Sequence, residues 1–113
     1  MPHCIIEYSQ GIERTLRPAI LVDAVQRAAI ASGLFEPDHV RARAIAYTDC
    51  IAGYQADDFV HVTLRILSGR DRQQKKALSE GVLGELVRLG LSSVSLTVEV
   101  TDMDRETYSK RIM

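Results

Sequence analysis

Alternating apolar and polar positions open the chain: His3-Cys4-Ile5-Ile6-Glu7-Tyr8-Ser9 reads as a β-strand that stops before Gly11. Beyond the glycine the period changes. Leu16, Ile20, Leu21, Ala24, Val25 and Ala28 recur at three- and four-residue spacing, the pattern of an amphipathic helix. Pro18 suits its first turn, where a missing N–H has no intrahelical partner. Gly33 is placed to end the helix in a left-handed conformation, with Leu34 or Phe35 folding back on the last turn. The turn Glu36-Pro37-Asp38 then leads into a period-2 segment, Val40 to Tyr47, which predicts a second strand.

The second half follows the same order. Phe59 to Leu67 is rich in strand formers and stops at Ser68-Gly69. A helix is predicted from about Asp71 to Leu89, with Leu78, Val82, Leu83, Leu86 and Val87 on one stripe. Gly81 and Gly84 lie inside it, each costing about 1 kcal/mol relative to alanine, which predicts close packing of both against a sheet. Gly90 closes the helix, and Ser93 to Val100 alternates as a fourth strand. Laid on itself at an offset of 58, His3…Gly11…Glu13-Arg14 matches His61…Gly69…Asp71-Arg72.

The predicted fold class is therefore α+β, built as one domain (1–113) from two β-α-β units, 2–50 and 58–101. Each connection is long enough to join parallel strands. Both helices then lie on one face of a four-stranded sheet. The other face, including part of the Phe59–Leu67 run, is left for oligomerisation to cover. Thr48 to Asp58 reads as a loop. The tail, 102–113, either folds over a neighbouring subunit or is disordered, with Tyr108 and Ile112 as its candidate anchors.

Charge narrows the range of partners. Fourteen Lys+Arg stand against fifteen Asp+Glu, so no broad field draws nucleic acid. The local clusters, Arg41/Arg43 and Arg65 to Lys76, suit a small anionic ligand instead. No apolar run reaches membrane-spanning length and no signal sequence opens the chain, so a cytoplasmic location is expected. Cys4 and Cys50 have no metal-ligand spacing; a disulfide is open to them, but two buried free thiols is the preferred reading.

Conventional active-site motifs are absent: there is no G-x-G-x-x-G, P-loop or nucleophile elbow, and His3, His39 and His61 show no metal spacing. The unusual residue is Pro2. Once Met1 is removed, it becomes a free secondary amine able to act as a base near neutral pH. Arg41 and Arg43 fall on the same side of a strand, where guanidinium groups can grip a carboxylate through paired N–H donors. Arg70 follows Gly69 at the start of the second helix. A cation opposes the helix dipole there, so its presence points to anion recognition.

Pro2-His3-Cys-Ile-Ile-Glu7-Tyr-Ser9, Gly33-Leu-Phe35, Val40-Arg41-Ala-Arg43 and Asp58-Phe-Val-His61-Val-Thr63 through Gly69-Arg70 together resemble the tautomerase superfamily. Within it they look most like the 5-carboxymethyl-2-hydroxymuconate isomerase family. The likeness covers nearly the whole chain and weakens in the Thr48–Asp57 loop and the tail. It implies a homotrimer without cofactor or metal, acting on a small substrate with several carboxylates in homoprotocatechuate breakdown. Pro2 would be general base and acid, Arg41 and Arg70 would bind carboxylates, and Arg43 matches a further basic position. The loop around Tyr54 departs from the family pattern, so no aromatic site residue is implied. A tautomerase for another 2-oxo acid and a non-catalytic ligand-binding or assembly protein are the alternatives.

Overall fold

A computed structural model describes residues 1–113. Strand β1 (His3–Ser9) lies inside the sheet, with Cys4, Ile6 and Tyr8 buried on one face. It runs parallel to β2 (Arg41–Tyr47) and antiparallel to β3 (Asp58–Leu67), while β4 (Val94–Met103) runs parallel to β3. The sheet order is β2-β1-β3-β4. Helices α1 (Pro18–Ala31) and α2 (Arg72–Val87) cover the face carrying Cys4, Ile6, Val60, Val62, Leu64 and Ile66. Leu21, Val25, Leu78, Val82 and Leu86 meet those residues in one apolar core, as the two helical periods required.

The turn signals act as anticipated. Pro18 is the first residue of α1, and Gly33 takes a φ of +74° just beyond the helix. Asp71 caps α2 by accepting from the Gln74 N–H, while the Gln74 side chain accepts from the Asp71 N–H. Ser9 joins the two halves: its hydroxyl donates to Asp58 (2.7 Å) and accepts from the Phe59 N–H (3.0 Å). Gly11 is confined beside this junction, because a Cβ there would stand 2.4 Å from the Asp58 carboxylate.

Several boundaries differ from expectation. A 3₁₀ turn, Gln10–Arg14, separates β1 from α1; Ile12 is buried in it and Tyr8 donates to Glu13 (2.7 Å). Ile20, assigned to the buried stripe, is exposed. Strand β4 continues to Met103 because Asp102, although charged, faces α2 and pairs with Lys75 at 3.2 Å. Cys4 is buried but Cys50 is exposed, and both are free thiols. The tail is ordered against its own chain. A turn at Asp104 receives the N–H groups of Thr107 and Tyr108 (both 3.1 Å), and Tyr108 is an anchor whereas Ile112 is exposed.

Gly81 and Gly84 depart from the expected packing. Neither packs against the sheet. Both are exposed on a groove between α1 and α2, and an added Cβ would meet nothing within 4 Å. With space free and no positive φ, their glycine character contributes only backbone entropy to the unfolded chain. Gly81→Ala and Gly84→Ala are each expected to raise unfolding free energy by about 0.5–1 kcal/mol. Denaturant midpoints check this, and a fall in either midpoint would show an unseen role for the bare backbone.

Candidate active site

Pro2 is fully buried at the point where β1 begins, and its carbonyl accepts from the Arg41 N–H at 3.0 Å. The first residue pair of the β1–β2 ladder, His3 opposite Arg41, thus places a guanidinium beside the amino terminus. Arg41 is exposed and donates to the Asp38 carbonyl (2.7 Å) in the turn before β2. Arg43 lies two residues on, on the same side of the strand as expected, and donates to His3 Nδ1 at 3.1 Å.

Arg70 reaches the same region from the turn between β3 and α2, which Gly69 forms at a φ of +128°. It is half-buried. One terminal nitrogen donates to the Leu34 carbonyl (2.7 Å), and the guanidinium lies 5.2 Å from the centre of the Phe35 ring. The loop that Gly33 starts therefore holds the arginine in place. The helix-terminus rationale for Arg70 does not hold, because Asp71 and Gln74 close the start of α2 with their own side chains. The carbonyl and aromatic contacts orient Arg70 instead, leaving further N–H groups of its fork for a ligand.

The electrostatics of the amino terminus draw these residues together. With Met1 present, the Pro2 nitrogen is an amide and the free amine belongs to Met1. Burial, first, and then the charges of Arg70, Lys110, Arg105 and Arg41 hold that amine below the ordinary α-amino value. Every one of these influences disfavours the ammonium form. The setting is thus a cationic patch around an amine biased towards neutrality.

Arg105 and Lys110 were not foreseen. Arg105 docks the tail by donating to the Ser68 carbonyl from Nε (3.1 Å) and a terminal nitrogen (2.9 Å), next to the turn that carries Arg70. Tyr108, between them, has its hydroxyl 2.8 Å from His3 Nε2. The only advance signal was the basic and aromatic content of a tail without periodicity.

Other candidates do not converge here. His61 bonds Thr97 (2.7 Å) and Glu99 (2.6 Å) further along the uncovered sheet face. Burial pushes the Cys4 thiol up to about 11, which leaves it protonated and a poor nucleophile. No group of three or more His, Cys, Asp or Glu is placed to hold a metal ion. The largest cavity, about 430 Å³, lies between the helices, and none of the cavities is lined by Pro2, Arg41 or Arg70. On the single chain the amine and its arginines form an open patch.

A family model described as 5-carboxymethyl-2-hydroxymuconate isomerase matches residues 2–111. A solved 5-carboxymethyl-2-hydroxymuconate delta-isomerase superposes with a TM-score of 0.82 at 18% identity, covering 100% of this chain and 89% of the other. A 5-carboxymethyl-2-hydroxymuconate isomerase from Deinococcus radiodurans R1 gives 0.83 at 21% identity, covering 97% and 88%. A macrophage migration inhibitory factor-like protein from Entamoeba histolytica gives 0.69 at 12%, covering 97% and 95%. At such identities the superpositions establish a common fold. No curated protein sequence matches the chain.

Proposed function

The chain belongs to the 5-carboxymethyl-2-hydroxymuconate isomerase family and is an isomerase of the tautomerase type, and on that premise we propose that it converts 5-carboxymethyl-2-hydroxymuconate to the 2-oxo-3-ene isomer through Pro2. The observation that carries this reading is the amine setting at the start of β1, where burial, Arg70, Lys110, Arg105 and Arg41 all favour the uncharged form. Removal of Met1 would transfer that setting to the secondary amine of Pro2, one residue along.

The neutral Pro2 nitrogen takes the proton from the 2-hydroxyl group: the O–H bond breaks and an N–H bond forms. The oxygen's electrons make the 2-oxo group, the double bonds shift, and the conjugated system accepts the proton back from Pro2 at C5. Atoms and charge balance without a cofactor. Arg41, Arg43 and Arg70 bind the substrate carboxylates, and the arginine fork suits that task better than a lysine point charge. We place the enzyme in the cytoplasm, in homoprotocatechuate catabolism, as a homotrimer whose sheets pack around an axis and cover the open face. No helix is long and apolar enough to cross a membrane.

The test is an ultraviolet assay of protein whose N-terminal mass confirms loss of Met1. Turnover of 5-carboxymethyl-2-hydroxymuconate is the expected result. Turnover only of a simpler 2-hydroxymuconate or of the phenylpyruvate enol would assign a related tautomerase. Activity undiminished in protein that retains Met1 would rule out the proline mechanism, since an amide nitrogen is not a base.

A further inference from the structure

We propose that Tyr108 is a substrate-binding residue, its hydroxyl proton forced outward by the Arg43–His3 pair towards an anionic oxygen of a ligand held beside Pro2. The inference rests on the isomerase reading for the identity of that ligand, but its hydrogen-bond logic does not.

The guanidinium of Arg43 can only donate. Its terminal nitrogen stands 3.1 Å from His3 Nδ1, so Nδ1 must present a lone pair. A neutral imidazole carries one N–H, and here that N–H falls on Nε2. Nε2 in turn lies 2.8 Å from the Tyr108 oxygen, which must therefore accept. The phenolic O–H is left as a donor with no partner inside the chain. Burial, then Arg43 and Arg41, hold the His3 pKa below its usual value, consistent with a neutral ring.

Position gives that free donor its use. His3 adjoins Pro2, and the tail residues on either side of Tyr108, Arg105 and Lys110, both act on the terminal amine. The tail is pinned at two points, Arg105 on Ser68 and Tyr108 on His3, so the hydroxyl is held rather than swinging in solvent. Tyr108 and His3 also meet edge to face, with ring centres 6.0 Å apart. An O–H held on His3, in the tail segment that brings Arg105 and Lys110 to bear on the terminal amine, suits a carboxylate or an oxygen that gains negative charge. One N–H of Arg43 thereby acts through His3 as a positioning group, and its others stay free for substrate.

The experiment compares processed wild type with Tyr108→Phe, His3→Gln, His3→Leu and the Tyr108→Phe/His3→Leu double variant. Steady-state kinetics are run beside titration with muconate, a dicarboxylate that lacks the reactive hydroxyl. Tyr108→Phe keeps the ring and its packing, and is expected to lower kcat/KM about 10- to 100-fold, mainly through KM, and to weaken muconate binding likewise. Glutamine at position 3 offers an acceptor to Arg43 and an N–H to Tyr108, so His3→Gln should retain most affinity. His3→Leu should fall as far as Tyr108→Phe, and the double variant no further. Nitrogen-15 NMR should show His3 protonated on Nε2 alone. A Tyr108→Phe protein within about twofold of wild type in muconate affinity, or a His3 ring protonated on Nδ1, would overturn the inference. Inactivity of wild type with normal muconate binding would count against the isomerase reading alone.

Discussion

Pro2→Ala is expected to lower kcat/KM by about 10²- to 10⁴-fold, the range for losing a positioned general acid–base group. Alanine at position 2 still exposes an α-amine after Met1 removal. What it removes is the ring, which lies fully buried where β1 begins and anchors the nitrogen next to the strand pairing with Arg41. The remaining primary amine can move away from the proton it should transfer. Retention of Met1 should be at least as damaging, because it turns the Pro2 nitrogen into a non-basic amide. The pH profile supplies an independent check. The proposed reaction requires the neutral amine, so kcat/KM should fall as pH drops through the amine's pKa. Burial and the neighbouring cations hold the Met1 amine below the ordinary range; the same surroundings acting on a freed Pro2 amine should keep the acid limb away from neutral pH. Equal rates for Pro2→Ala and wild type, both with verified termini, would remove Pro2 from the chemistry.

How much of this was legible in the chain depends on the range of each interaction. Strand alternation, helix period and the turns at Gly33 and Gly69 are local, and they led to β-α-β units whose strands pair in parallel within each half. Arg41 was legible for the same reason: strand periodicity places it at the head of β2, and the ladder sets it beside Pro2. Arg70 stands out in sequence by its place before α2, but Asp71 caps that helix and Leu34 and Phe35 orient the arginine. Those partners lie in a loop far along the chain, and no spacing rule reaches them. The tail shows the limit most clearly. Its contacts join Tyr108 to His3 and Arg105 to Ser68, tertiary pairings without periodicity. Glycine inside α2 shows the opposite limit: a propensity cost does not by itself imply close packing, since Gly81 and Gly84 border open space.

Arg70 carries the second large effect, and it should appear in two separate observables. Arg70→Ala removes the proposed charge-assisted carboxylate ligand, so kcat/KM is expected to fall roughly 10- to 100-fold, chiefly through a higher KM. It also removes the foremost of the charges that disfavour the protonated terminal amine. The amine's pKa should rise, moving the acid limb of the pH–rate profile to higher pH. Arg70→Lys separates these roles. A lysine keeps a positive charge near the amine but lacks the planar fork, so the acid limb should stay near its wild-type position while KM remains raised. Folding must be measured beside the kinetics, because Arg70→Ala frees the Leu34 carbonyl from its 2.7 Å partner. That loss costs about 1–3 kcal/mol where the group remains dry, and thermal unfolding will report it. An Arg70→Ala enzyme that stays folded, with KM and acid limb both unchanged, would exclude this arginine from the site.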